Sequence, residues 1–146
     1  MKLRRIIAIL MIALLMAPAA ARAASAQWMN GLAMQVVNEV NMERSKRGLS
    51  FLAIDPALTA AAEVRALEIA RKFSHTRPDG SKWSTVSSRA FGENIARGQK
   101  TADKVMAAWM TSDGHRRNIL RESYGSIGVA CVKVGNIYHW VQLFGR

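Results

Sequence analysis

IGVACVKVGNIYHWVQLF, residues 127–144, is the stretch that decides how this chain folds. Ile127, Val129 and Cys131 alternate with Gly128, Ala130 and Val132, and Ile137 to Phe144 is rich in β-branched and aromatic residues. Both runs carry the strand signal, and Gly135-Asn136 separates them at the spacing of a tight hairpin. Two antiparallel strands therefore close the chain, and a third near Glu93 to Ala96 is expected to join their sheet.

Working back from the hairpin, the period changes. Leu32, Val36, Val37 and Val40 recur at helical spacing, with Asn38, Glu39, Asn41 and Glu43 largely between them, which predicts an amphipathic helix of about four turns capped near Gly48. Asp55-Pro56 combines an N-cap residue with proline at the first helical position. The apolar stripe Leu58, Ala62, Ala66, Ile69 and Phe73 then predicts a second helix to about Lys72. Pro78-Asp79-Gly80 is a turn, and the serine-rich stretch to Ala90 reads as a loop. Thr101 is placed to cap a third helix in which Val105, Ala108 and Trp109 share a face, ending near Ser112. Asp113 then caps a short turn through Arg117. Helices first and paired strands last define an α+β domain without internal repeats.

The N-terminus has a different character. Lys2, Arg4 and Arg5 precede the uncharged run Ile6 to Met16, which Pro18 and an alanine-rich stretch close. That order is an export signal, and the apolar run is shorter than the roughly 20 residues of a membrane-spanning helix. Cleavage is expected after Ala26, with Ala23 as the alternative, leaving residues 27–146 as one domain. Removal of Lys2, Arg4, Arg5 and Arg22 lowers the formal charge from +11 to +7, 17 basic against 10 acidic residues. The remaining basic residues are dispersed, with no aromatic-interleaved stripe, which reads as solvated faces or, where they meet a partner, as attraction to anionic envelope polymers or lipid headgroups rather than to nucleic acid. Cys131 is the single cysteine, so no intramolecular disulfide forms, and its alternating apolar context makes it a small core residue rather than a nucleophile. The expected product is a soluble monomer without a transmembrane segment, periplasmic or extracellular.

Three segments look unlike packing or turn material: FSHTRPDG (73–80), GENI (92–95) and GHRRNIL (114–120). Each sets a titratable side chain beside a glycine or a turn. His75, His115 and Glu93 are the residue types that hold a divalent cation such as Zn2+, and the same trio suits general acid/base chemistry. The histidines lie 40 residues apart, and no H-E-x-x-H, C-x-x-C or G-x-S-x-G is present. Spacing alone therefore leaves a shared site open against separate helix-capping or hydrogen-bonded histidines. His139, in phase with Ile137 and Val141, reads as structural.

The order of these segments, with TADKVMAAWM (101–110) between them and YHWVQLFG (138–145) after, closely resembles the bacterial branch of the CAP superfamily, the SCP-like domains of cysteine-rich secretory, antigen 5 and pathogenesis-related proteins. The likeness runs from about Leu32 to Gly145. It implies an α-β-α sandwich with a central antiparallel sheet, and a cleft lined by two histidines and two acids. His75, Glu93 and His115 match three of those four positions. In many members the fourth is an acid a few positions after the tryptophan of the third helix. Here Trp109 is followed by Met110-Thr111-Ser112, which leaves the tetrad incomplete at that spacing; Asp113, one position on, reads first as a helix cap and only second as the fourth cleft residue. Members of the family are described as lipid or sterol binders, metal binders, signalling proteins and occasionally proteases. A binding module for a small-molecule or lipid ligand is the favoured expectation, because no serine or cysteine is placed as a nucleophile by the matched motifs. An envelope interaction protein with a vestigial site, and a metal-assisted hydrolase with Glu93 as base, are the alternatives.

Overall fold

The computed structural model describes residues 25–146, so the export signal expected over residues 1–26 lies outside the described residues except for Ser25 and Ala26. In chain order the elements are β1 (Ala26–Trp28), α1 (Asn30–Ser45), β2 (Ala53–Ile54), α2 (Pro56–Arg71), a 3-10 turn at Trp83–Val86, β3 (Gly92–Arg97), α3 (Ala102–Thr111), α4 (Asp113–Ile119), β4 (Ser126–Val134) and β5 (Ile137–Gly145). The hairpin β4–β5 forms as expected, with Val134 opposite Ile137. The sheet runs β1-β4-β5-β3, and β2 adds a short parallel pairing to β4. That pairing is the one departure from an all-antiparallel sheet among the described residues.

Capping chemistry sets the helix ends. The Asp55 carboxylate accepts from the Ala57 and Leu58 amides at the start of α2, and Thr101 accepts from Lys104 N at the start of α3. Gly48 follows α1 at φ +69°, where a side chain would be strained. Of the apolar stripe expected on α2, Leu58, Ala62, Ala66 and Ile69 are buried. Phe73 lies past the end of the helix and is 40 % exposed.

The sheet separates two apolar layers. On one face α1, α3 and α4 pack through Val36, Val40, Val105 and Trp109 against Ile127, Cys131, Trp140 and Phe144. On the other, α2 packs alone, through Leu58, Ala62 and Ile69, against Ala130, Val132, Val141 and Leu143. This is the α-β-α sandwich expected from the resemblance. Helix and sheet come nearest at Gly128, where a Cβ would fall inside the backbone of Leu58 and Thr59. Cys131 is buried, and burial pushes its thiol up to about 12, which makes it unreactive. His139 is buried within β5, as a structural histidine should be.

Arg44 is fully buried on the apolar face of α1. It donates to the carbonyls of Ser50, Ile119, Arg121 and Tyr124, at 2.8 to 3.3 Å, and so satisfies the end of α4 and the turn that follows. A groove of about 740 Å3 opens on the same layer, lined by Met42, Met106 and Met110 with Glu39 and Asp103. Burial, then a hydrogen bond with Asp103, pushes Glu39 from 4.5 to about 7. The other charged groups facing this groove are Glu43, Lys46, Arg47 and Arg116, and Glu43 is neutralised by Lys46 and Arg47. Because folded Glu39 holds its proton to higher pH than the unfolded chain, its contribution to stability is complete below about pH 4.5 and is lost as pH rises through about 7. Thermal melts from pH 5 to 8 should show the wild type losing Tm relative to Glu39→Gln, whose amide imitates the protonated acid at every pH. A Tm difference independent of pH would show that this carboxyl pair does not titrate in that range.

Candidate functional site

Glu93 sits on β3, the terminal strand of the sheet, with its side chain wholly buried on the face that α2 covers. A buried carboxylate requires a partner, and α2 supplies Arg65, itself buried. Arg65 Nε donates to Glu93 Oε2 at 2.7 Å and Nη2 to Oε1 at 3.2 Å. Its remaining donors go to Glu68 Oε2 (2.6 Å) and the Ser74 carbonyl (2.8 Å). Glu68 in turn holds Arg77, with Nη2 to Oε1 at 2.7 Å. Burial works against the charge on Arg65, and the bonds to Glu93 and Glu68 outweigh it. The network pins both sides of the segment that carries His75.

His75 completes the shell of Glu93, with Nδ1 2.8 Å from Oε1. Glu93 can only accept there, so Nδ1 carries the proton and Nε2 keeps its lone pair, on a side chain 54 % exposed.

His115 comes from the opposite layer, on α4. The helix is tied to β3 by two amides from the motifs GENI and GHRRNIL: Asn118 Nδ2 donates to the Glu93 carbonyl (3.2 Å) and to Asn94 Oδ1 (2.9 Å). Asn94 Nδ2 donates to the His115 carbonyl (3.1 Å) and to Gln142 Oε1 (3.0 Å). Glu93 is thus the point at which both layers are fastened, its side chain to His75 and its backbone to the helix of His115. Burial is the main cause that lowers the proton affinity of His115.

His115 Nδ1 is bonded to Ser112 Oγ at 2.9 Å, whereas Asp113 turns away. The Asp113 side chain is 75 % exposed and pairs with Arg116, and the cap position of α4 belongs to Ser112. The structure therefore puts a hydroxyl, not the expected acid, beside the second histidine. A single helical residue is responsible: Ser112 and His115 are three apart and share a face, and Asp113 does not.

Arg65, Asn94, Asn118 and Gln142 are the site residues that motif reading passed over. Arg65 had a signal, since it falls on the apolar stripe of α2, seven residues after Leu58 and four before Ile69. Among the described residues no group of three or more His, Cys, Asp or Glu is gathered in a way that could hold a metal ion. The two imidazoles are the nitrogen donors on offer.

An α-β-α sandwich with a sheet of this order between its helical layers belongs to the SCP-like class. Residues 37–144 match the cysteine-rich secretory protein family, CAP, and the chain belongs to that family. It is 42 % identical over 118 residues to the uncharacterized protein YkwD of Bacillus subtilis (strain 168), covering 75 % of this chain but 45 % of that relative, so the chain spans a little under half its length. An outer surface protein of Borrelia burgdorferi shares the fold at TM-score 0.70 and 20 % identity, over 84 % of this chain and 98 % of that one. An extracellular protein of Bacillus anthracis containing an SCP domain matches at TM-score 0.68 and 27 % identity, over 80 % of this chain and 41 % of that one. No helix among the described residues is long and apolar enough to cross a membrane.

Removing Arg65 leaves Glu93 buried without its counter-charge. Arg65→Met should cost about 3–5 kcal/mol in urea unfolding, and Arg65→Met/Glu93→Gln less than the sum of the single changes. Additive losses would mean that the pair is not coupled.

Proposed function

We propose that this is an exported CAP-domain binding protein in which His75 and His115 hold a divalent cation through Nε2, with Glu93 orienting the first histidine rather than acting as a base. One observation carries the reading: both oxygens of Glu93 are already committed, to Arg65 and to His75 Nδ1. A histidine whose far nitrogen donates to a carboxylate is the usual arrangement around metal-ligating imidazoles, because it fixes the tautomer and raises the basicity of the ligating nitrogen. The donor set fits a cation such as Zn2+ that keeps open positions for water or a ligand, and it does not fit a closed structural site. When bound, the cation would supply Lewis acidity and a place for an oxygen ligand.

The same observation weighs against the hydrolase alternative. A base acting on a metal-bound water must reach it, and the Glu93 carboxylate is wholly buried behind His75 and paired with Arg65 in the α2 layer. Ser112, bonded to His115, is three residues along the same helix end and serves as its local partner. Export is supported by the order of charged, apolar and small residues at the N-terminus and by the likeness to an extracellular protein of Bacillus anthracis.

Titration of the purified domain with ZnCl2, followed by calorimetry and by Tm, tests the proposal. Wild type should bind and gain Tm, His75→Ala and His115→Ala should each lose at least tenfold in affinity, and Asp113→Asn should match wild type. Because ligating imidazoles must be neutral, affinity should fall as pH drops below about 6. A zinc response that survives in the double alanine variant would place the cation elsewhere.

A further inference from the structure

A groove of about 290 Å3 begins at His115 and Ser112 and follows β3 past Ile95 and Ala96 to Arg97. Phe73 stands on one side, and Ala108 and Trp109 of α3 form the other. Among the described residues lining it, the charged or titratable groups are Arg97 and His115, and no carboxylate is present. The acid nearest along the strand, Glu93, points into the α2 layer and is neutralised by Arg65. Arg97 is exposed, lies over the Phe73 ring at 5.0 Å from its centre, and enters none of the ion pairs of the described residues.

These features specify a ligand by charge and shape. The groove has a cation at its far end, an imidazole at its near end and apolar walls between. A guanidinium resting on an aromatic ring is presented edge-on with its donors free, the form in which arginine takes carboxylate or phosphate oxygens. At about 290 Å3 the groove has room for a single ring beside a charged head. We infer that the groove binds a small anion with an apolar or aromatic body, its carboxylate or phosphate head on Arg97 and its body between Phe73 and the α3 wall, toward His115.

Calorimetry with zinc-loaded and zinc-free protein, using phenylphosphate, phenylacetate, benzyl alcohol and benzylamine, separates the possibilities. At least one anion should bind tenfold or more tightly than the alcohol and the amine, and the preferred anion assigns the head group. Arg97→Gln should lower that affinity at least tenfold while leaving zinc affinity and Tm unchanged, and Arg117→Gln should have no effect. Should the anions bind no better than benzyl alcohol, or Arg97→Gln bind them as well as wild type, the inference fails whether or not zinc binds. If zinc does not bind but the Arg97-dependent preference for anions persists, the groove stands and the cation reading falls.

Discussion

The buried ion pair between Arg65 and Glu93 is the constraint on which the rest of the site depends. A carboxylate on an edge strand beneath a helix is unfavourable by itself, and a guanidinium inside an alanine-lined helix face is no better. Together they exchange water for two direct bonds and direct the arginine's other donors to Glu68 and the Ser74 carbonyl. What this achieves is positional. The loop after α2 has no core of its own, since Phe73 is partly exposed and the residues that follow are polar. It is held by the network that spreads from Arg65, and His75 inherits its place from that network.

Arg44 has the corresponding role in the other layer. It has no carboxylate partner, and burial lowers its proton affinity, yet it meets the Ser50 carbonyl after α1 and three carbonyls, of Ile119, Arg121 and Tyr124, at the end of α4 and in the turn beyond. The Ile119 carbonyl sits at the negative end of the helix that bears His115, so the charge is placed where the helix dipole favours it. Each helical layer therefore contains one buried arginine that fixes one histidine-bearing segment. The edge strand between the layers is protected by the same kind of side-chain donor. The Glu93 carbonyl is taken by Asn118 and the Ile95 carbonyl by Trp109 Nε1, so β3 offers little template for pairing with another chain.

Much of this was legible in the sequence, and the division follows interaction range. The hairpin at Gly135-Asn136, the Asp55 and Thr101 caps and the stop at Gly48 are local, and all stand where their chemistry put them. β1 and β2 escaped notice because strands of three and two residues are too short to show a period. The histidines and Glu93 were legible as motif residues, but what holds them was not. Arg65 and Arg44 each interrupt an apolar helical stripe, which announces a buried charge without naming its partner. For Arg65 that partner is 28 residues distant, and only the packing of α2 on the sheet identifies it. Asp113, read first as a cap, lies one residue past it: Ser112 holds the cap position of α4 and the contact to His115.

The substitution of a hydroxyl for an acid makes the two histidines chemically unequal. His75 is backed by a carboxylate that can only accept, so its tautomer is fixed before any ligand arrives. Ser112 can either donate to His115 Nδ1 or accept from it, so the proton on His115 is free to move to the outer nitrogen. On the cation reading, His75 is a prepared ligand and His115 must select its tautomer on binding. His115 also lacks the extra basicity that a carboxylate partner confers. With Glu93 withdrawn behind Arg65, the site carries no net negative charge of its own to retain a cation. On the same reading such a centre would hold a cation exchangeably rather than as a closed structural site.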